Sequence, residues 1–217
     1  MFDADSLLDA AEARVLGVLI EKEIATPEYY PLTLNALVNA CNQKSNRDPV
    51  VDYDEATVEQ ALDGLRRKKL AATLSGAGMR VPKHRQLISE ALNLGRRELA
   101  LLCELMLRGP QTVGELHSRA ERLHRFDGVE EVASCLERLI EGQPEPLAIR
   151  LPRRPGTKES RYAHLLCGAV APDAAPEPPP RPASQDRFTA LEAEISELRR
   201  EIDELKRELA QFRKQFE

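Results

Sequence analysis

Histidine and cysteine, the side chains that most often hold metals or act as nucleophiles, are few and dispersed in this sequence. There are four of each, with no Cys-x-x-C pair and no cluster that has the spacing of a zinc site. His117 and His124 stand about two helical turns apart, which is more typical of surface or core histidines than of ligands. The sequence therefore predicts no enzymatic activity, no metal and no cofactor.

The side chains best suited to chemistry are polar and basic, and the first group of them forms one loop. Amide, hydroxyl, ammonium and guanidinium groups hydrogen-bond to phosphates and to the edges of bases. The members of this polar loop are Asn42, Gln43, Lys44, Ser45, Asn46 and Arg47. They predict contacts with nucleic acid, and the alternative interpretation is a structured turn that hydrogen-bonds to itself.

Two further groups are basic and lie in or beside predicted hairpins. One comprises Arg150, Arg153, Arg154, Lys158 and Arg161, and the other comprises Arg66, Arg67, Lys68, Lys69, Arg80, Lys83 and Arg85. A basic hairpin can follow a phosphate backbone or place an arginine in a minor groove. The alternative is a solvated hairpin tip for the first group. For the second it is a basic helix end that complements the helix dipole.

The element that positions the second of these basic groups is the stretch Asp54–Ala72. Its apolar residues follow the stripe of a helix with one buried face: Val58, Ala61, Leu62 and Leu65. Two extended pieces come next, Leu70–Leu74 and Met79–Val81, separated by a glycine turn and stopped by Pro82. A helix that feeds a hairpin is typical of the end of a winged helix.

Helix-capping signals divide the preceding chain into two more helices. Asp9 and Glu12 predict a capping box for the first helix, and Thr33 predicts the N-cap of the second. Asp52 and Glu55 predict the cap of the third helix. The first unit therefore has three helices before its hairpin.

The same order of signals returns in the second unit. Thr112 and Glu115 predict a capping box, and Asp127 with Glu130 predicts the start of the next helix. Alternating residues then predict paired strands at Leu147–Leu151 and Arg161–Leu166.

Corresponding positions make these units a repeat. The segment Pro31–Leu34 matches Pro110–Val113, and the stripe Val58, Leu62 and Leu65 matches Val132, Leu136 and Leu139. We therefore predict a mainly α protein with small β-hairpins, built from two tandem winged-helix domains, residues 1–90 and 91–167.

Two segments of different character follow the second unit. Residues 168–186 are rich in proline and predict an extended linker. Residues 187–217 predict a coiled-coil helix with apolar residues alternately three and four positions apart: Phe188, Leu191, Ile195, Leu198, Ile202, Leu205, Leu209, Phe212 and Phe216. Flanking charges of opposite sign favour a parallel homodimer, and the alternative is a lone amphipathic helix that packs on its own domain.

Bulk composition excludes several classes of protein. The net charge of −5 is not that of a polycation that binds nucleic acid with its whole surface. No segment has the pattern of a signal peptide or a membrane span, and scattered cysteines suit a reducing compartment. We therefore expect a cytoplasmic protein without membrane contact, in which Cys41, Cys103, Cys135 and Cys167 act as small buried hydrophobes.

One pattern argues against the usual mode of DNA recognition. Carboxylates occupy the predicted outer positions of both third helices: Asp54, Glu55, Glu59, Asp63, Glu130, Glu131 and Glu137. A recognition helix normally brings basic or amide side chains into the major groove, where carboxylates would repel phosphates.

Three segments resemble the bacterial YceH-like family of uncharacterised proteins. They are EARVLGVLIEKEI at Glu12–Ile24, TPEYYPLTLNALVNACNQKSNRDPV at Thr26–Val50, and VEQALDGLRRK at Val58–Lys68. The resemblance covers residues Ala11–Leu166. It implies a tandem winged-helix fold but no established activity, so it assigns no role to any residue.

These observations lead to two functional hypotheses. The first is a dimeric tandem winged-helix protein that binds double-stranded DNA through the polar loop and the basic hairpins. The second is a scaffold of the same fold that binds other proteins and does not read DNA. Fold alone does not choose between them.

Overall fold

In a computed structural model of the chain, the described residues are 7–76, 80–142, 145–154, 157 and 159–169. They are mainly helical, with small antiparallel sheets. The helices are α1 (Ala10–Ala25), α2 (Leu34–Cys41), α3 (Glu55–Arg67), α4 (Ile88–Ala91), α5 (Arg96–Arg108), α6 (Val113–Ala120) and α7 (Val129–Ile140), and the strands are β1 (Leu32–Thr33), β2 (Ala71–Leu74), β3 (Lys83–Gln86), β4 (Ala148–Arg150) and β5 (Tyr162–His164). The predicted linker from residue 170 onwards and the predicted coiled coil at 187–217 lie outside the described residues.

The two halves of this region share one order of elements. Each has three helices followed by an antiparallel strand pair, β2 with β3 in the first half and β4 with β5 in the second. The segment before the second helix adds a further pairing in both halves. Strand β1 pairs with β3, and Gln111 forms an isolated bridge with Tyr162. These short pairings were not predicted, because a two-residue strand leaves no periodic pattern.

Several predicted caps are confirmed and two are wrong. The capping boxes of Asp9 with Glu12 and of Thr112 with Glu115 are present, and Thr33 caps α2. Helix α3 is capped by Asp54 rather than Asp52, and α7 by Gly128 rather than Asp127. Both errors arise where several residues capable of capping stand close together, so that sequence spacing alone does not select one.

The second strand of the first hairpin also differs from the prediction. It starts at Lys83, after Pro82, whereas the sequence predicted Met79–Val81. Proline has no N–H to donate to a strand ladder. Pro82 accordingly lies outside the strand, directly before its first residue.

One aliphatic core joins both halves, and all the described residues belong to a single compact unit. Helices α1 and α5 pack closely where Gly17 meets Leu107: a Cβ atom on Gly17 would lie 2.9 Å from Leu107 Cδ2. Cys41, Cys103 and Cys135 are buried as predicted, whereas Cys167 is exposed. No helix among the described residues is both long and apolar enough to cross a bilayer.

Candidate nucleic-acid interface

Arg47, the last residue of the polar loop, is buried and paired with a buried carboxylate. Its guanidinium donates two parallel hydrogen bonds to Glu21, one of them from Nη1 to Oε1 at 3.0 Å. It also donates to the carbonyls of Ala40 and Asn46, at 3.0 and 2.9 Å. The side chains of Arg47 and Glu21 are 0% and 1% exposed. Arg47 is therefore not available to a phosphate, and its predicted contact with nucleic acid is wrong.

The amide side chains at the start of the polar loop also bond within the protein. Asn42 accepts a hydrogen bond from the backbone N–H of Tyr53 and donates one to its carbonyl, both at 2.8 Å. The Oε1 atom of Gln43 accepts from Arg47 and from Lys22, each at 3.2 Å. These bonds match the alternative interpretation of a self-hydrogen-bonded turn.

The end of the polar loop ties the first half of the molecule to helix α5. The Oδ1 atom of Asn46 accepts a hydrogen bond from Arg108 at 2.6 Å. The backbone N–H of Asp48 donates to the carbonyl of Leu107 at 2.9 Å. Within the loop only Lys44 and Ser45 are exposed, so the loop is mainly a structural connection between the halves.

Two buried carboxylates that the sequence analysis missed lie at this connection. Arg122 donates to Glu21 of α1 through Nη1 and to Glu104 of α5 through Nη2, the latter at 2.7 Å. Glu104 is 0% exposed, and its Oε2 atom lies 3.8 Å from Nε of Arg108, too far for a hydrogen bond. We call Glu21, Arg47, Arg122 and Glu104 the buried ion network, although the side chain of Arg122 is 29% exposed and closes the network at the surface.

The pKa values of the two carboxylates in the buried ion network are shifted in opposite directions. Burial favours a raised pKa for Glu21, but the hydrogen bond and charge of Arg47, with the charge of Arg122, outweigh it and lower the pKa to about 2. For Glu104 burial prevails over the charge and hydrogen bond of Arg122, and its pKa is raised. Glu21 is therefore the firmly ionised member.

A sequence signal for Glu104 exists in helix α5. Ala100, Glu104 and Leu107 follow the i, i+4, i+7 spacing of one helix face, and all three are 0% exposed. A carboxylate on an apolar face predicts a buried partner. The partner itself, Arg122, could not be read from the sequence because it lies in another element.

The basic group at the end of α3 is only partly free. Lys68 donates to both carboxylate oxygens of Glu12, at 2.5 and 2.6 Å, so its charge is paired within the protein. Arg66 pairs with Asp63 and donates to the hydroxyl of Thr73 at 2.7 Å.

The other five cations of this group differ in exposure and pairing. Arg67, Lys69 and Arg80 are exposed and Lys83 is half-buried, and none of them forms an ion pair within the described residues. Arg85 pairs with Glu90 at 3.1 Å. Arg67, Lys69 and Arg80 are therefore the open cations of this group.

The basic hairpin of the second half keeps its arginines unneutralised. Arg150 and Arg153 are exposed, and Arg154 and Arg161 are half-buried. Within the described part of the chain none of these four forms an ion pair with a carboxylate; Lys158 lies outside it. We call these four residues the hairpin-two arginines.

Two exposed arginines elsewhere in the structure form ion pairs with carboxylates. Arg97 pairs with Glu131 at 2.8 Å, and Arg138 pairs with Glu98 at 2.9 Å, although both arginine side chains are more than half exposed. Surface exposure alone therefore does not account for the unpaired arginines of the hairpin.

The acidic faces of the two third helices are present as predicted. Asp54, Glu55 and Glu59 of the first half are exposed, as are Glu130 and Glu137 of the second. The other two predicted carboxylates, Asp63 and Glu131, are half-buried and pair with arginines. These faces carry the wrong charge for insertion into a major groove.

Comparison with known proteins places the chain among sequences without an assigned activity. A family model described as "Protein of unknown function, DUF480" matches residues 8–157. The chain is 56% identical over 216 residues to a UPF0502 protein of Solibacter usitatus, covering 98% of this chain and 100% of that protein.

Other relatives are similar over most of their length. A UPF0502 protein of Opitutus terrae is 54% identical over 88% of this chain and 83% of its own, and one of Geotalea daltonii is 54% identical over 98% and 100%. The family resemblance noted in the sequence is confirmed. With a matching family model and close relatives along nearly its whole length, the chain belongs to the DUF480 family of UPF0502, or YceH-like, proteins.

Proposed function

We propose that this protein is a non-enzymatic, dimeric DNA-binding protein whose two halves are winged helices. The observation that carries the proposal is the set of hairpin-two arginines without carboxylate partners in the described residues. Unpaired guanidinium groups that are clustered on one hairpin are suited to phosphate, which they bind with two parallel hydrogen bonds.

The mode of binding follows from the distribution of charge. The acidic faces of α3 and α7 disfavour insertion of either helix into a groove, whereas the hairpin-two arginines favour contact along the phosphate backbone. Arg67, Lys69 and Arg80 of the first half supply a second set of open cations. We therefore expect binding that depends strongly on salt and only weakly on base sequence.

The dimer is proposed from the heptad pattern at residues 187–217. Isoleucine at Ile195 and Ile202, with leucine at Leu198 and Leu205, favours two parallel strands. Two copies would double the number of phosphate contacts and raise the avidity for DNA. Light scattering of the full chain at micromolar concentration tests this point, and a monomer would refute it.

Fluorescence anisotropy with a labelled duplex of about 30 base pairs, over about 50 to 300 mM NaCl, tests the DNA proposal. The double variant Arg150→Ala/Arg153→Ala should bind more weakly, and the slope of log K against log salt should fall by about 2 per protomer. The matched control is Arg97→Ala/Arg138→Ala, which removes the same charge from exposed arginines that are already paired. Equal losses in both double variants would refute a specific role for the hairpin.

A protein-binding scaffold is the second candidate, favoured by one recess of the first half. Apolar side chains of α2 and the first hairpin line it, together with two carboxylates of α3: Leu34, Val81, Pro82, Glu55 and Glu59. Arg66, which pairs with Asp63, and His84 also line it. This chemistry suits a basic peptide with apolar side chains. Absence of DNA binding even at low salt, together with saturable binding of such a peptide, would favour this function over the first.

A further inference from the structure

Between the second hairpin and helix α6 lies a recess lined by two of the hairpin-two arginines. Its walls include two arginines and two threonines, with a proline and a glutamate at its edge: Thr112, Pro152, Arg154, Thr157, Glu159 and Arg161. Backbone pairing holds these groups in place. Gln111 and Tyr162 exchange two hydrogen bonds, at 2.7 and 3.0 Å, which brings their chain neighbours Thr112 and Arg161 together.

The outer wall of the recess is also fixed by backbone contacts. The N–H of Leu151 donates to the carbonyl of Arg161 at 2.8 Å, and both the N–H and the hydroxyl of Thr157 bond to the carbonyl of Arg154, at 3.1 and 2.8 Å. The two guanidinium groups are therefore carried by opposite arms of one hairpin and line the same space.

The electrostatics of the recess favour an anion. The Nη2 atom of Arg154 is withdrawn from solvent and has no hydrogen-bond acceptor among the described residues. Burial and, next, the neighbouring charge of Arg154 lower the pKa of Arg161, so the two cations repel each other. A buried donor without an acceptor is costly, and a bound oxyanion would supply the acceptor.

The carboxylates nearby leave this charge uncompensated. Glu159 lines the recess but is exposed and forms no ion pair within the described residues. Glu115 acts on Arg161 at a distance, but its own oxygens accept from the backbone N–H of Thr112 at 2.9 Å and pair with Arg119 at 3.2 Å.

We propose that this recess binds a phosphate group, held by the guanidinium groups of Arg154 and Arg161. The group could belong to a DNA backbone or to a free phosphate, because the recognition chemistry is the same for both. The first source rests on the DNA-binding function proposed above, whereas the second does not.

The test is calorimetric titration of the full chain with inorganic phosphate, against chloride at equal ionic strength. Arg161→Gln and Arg154→Gln should each weaken phosphate binding by about tenfold or more, because each removes a charge-assisted contact. Arg161→Lys, which keeps the charge, should recover part of the affinity. Arg97→Gln is the matched control, since it removes one exposed arginine far from the recess in sequence, and it should leave phosphate binding unchanged.

A DNA titration of the same variants identifies the source of the phosphate. If Arg161→Gln weakens both phosphate and DNA binding, the recess takes a backbone phosphate; if it weakens phosphate alone, the recess takes a free anion. Phosphate binding without any DNA binding would refute the proposed function and leave this site standing. No phosphate-specific binding by the folded wild-type chain, or equal losses in Arg161→Gln and Arg97→Gln, would overturn the site whatever the DNA result.

Discussion

Replacing Glu21 by glutamine should destabilise the fold strongly, because this carboxylate holds the buried ion network together. The variant keeps the size of the side chain but loses the charge that faces Arg47 and Arg122. Arg47 is 0% exposed and would remain buried without its counterion, with only carbonyl and amide oxygens as acceptors. A buried charge that loses its partner is costly.

The expected loss in the free energy of unfolding can be obtained in two independent ways. Folding lowers the pKa of Glu21 from 4.5 to about 2, and linkage converts that difference into about 3 kcal/mol of stability at neutral pH. Breaking a buried ion pair by removing one partner typically costs about 3 to 5 kcal/mol. In a domain of this size, about 3 kcal/mol corresponds to a drop in Tm of roughly 6 to 12 °C.

Differential scanning calorimetry at pH 7 measures the effect, with Glu28→Gln as the matched control. Glu28 lies on the exposed turn after α1 and forms no ion pair within the described residues, so its replacement removes the same charge at no structural cost. If the Tm of Glu21→Gln lies within about 1 °C of that of Glu28→Gln, the assigned role of the network is wrong.

The stability that Glu21 contributes should decrease as the pH is lowered. Because folding lowers the pKa of Glu21, its contribution is present above pH 4.5 and is lost as the pH falls towards 2. The difference in Tm between wild type and Glu21→Gln should therefore shrink as the pH is lowered from about 5 to about 3. A difference that grew in this range would contradict the assignment.

Three further substitutions or conditions test other contacts. Gly64→Ala should destabilise by about 1 kcal/mol, despite the better helix propensity of alanine, because its Cβ would overlap the carboxylate of Glu12. Gly17→Ala should cost about 1 to 3 kcal/mol in urea unfolding, because its Cβ would press on Leu107 where α1 crosses α5. Burial lowers the pKa of His164 to about 4, so the protein should lose stability as the pH falls from 6.5 towards 4, and His164→Gln should reduce that loss.

Controls for these tests lie within the same chain. Gly114→Ala places its Cβ in open space in helix α6, so it should be neutral or slightly stabilising. If Gly64→Ala and Gly17→Ala behaved like Gly114→Ala in urea unfolding, close packing at both positions would be refuted. An unchanged pH dependence in His164→Gln would exclude this histidine as its source.

The sequence predicted local features well and contacts between distant elements poorly. The capping box of Thr112 and Glu115 is confirmed because both partners lie within one helical turn. The role of Arg47 could not be predicted, because a polar loop has the same composition whether it faces solvent or a buried carboxylate such as Glu21. The sequence also could not predict that Arg161 has no carboxylate partner among the described residues, because this depends on which carboxylates the fold brings near it.

The shared core of α1 and α5 has a consequence for how the two hairpins act together. Because a close helix crossing and the ion pair between Glu21 and Arg122 join the halves, neither half can rotate without breaking Gly17–Leu107 packing or separating these two charges. The separation between the first and second hairpins is therefore set by folding and not by the ligand. For the proposed DNA binding, this fixed spacing predicts a preference for ligands whose binding groups already match the distance between the hairpins.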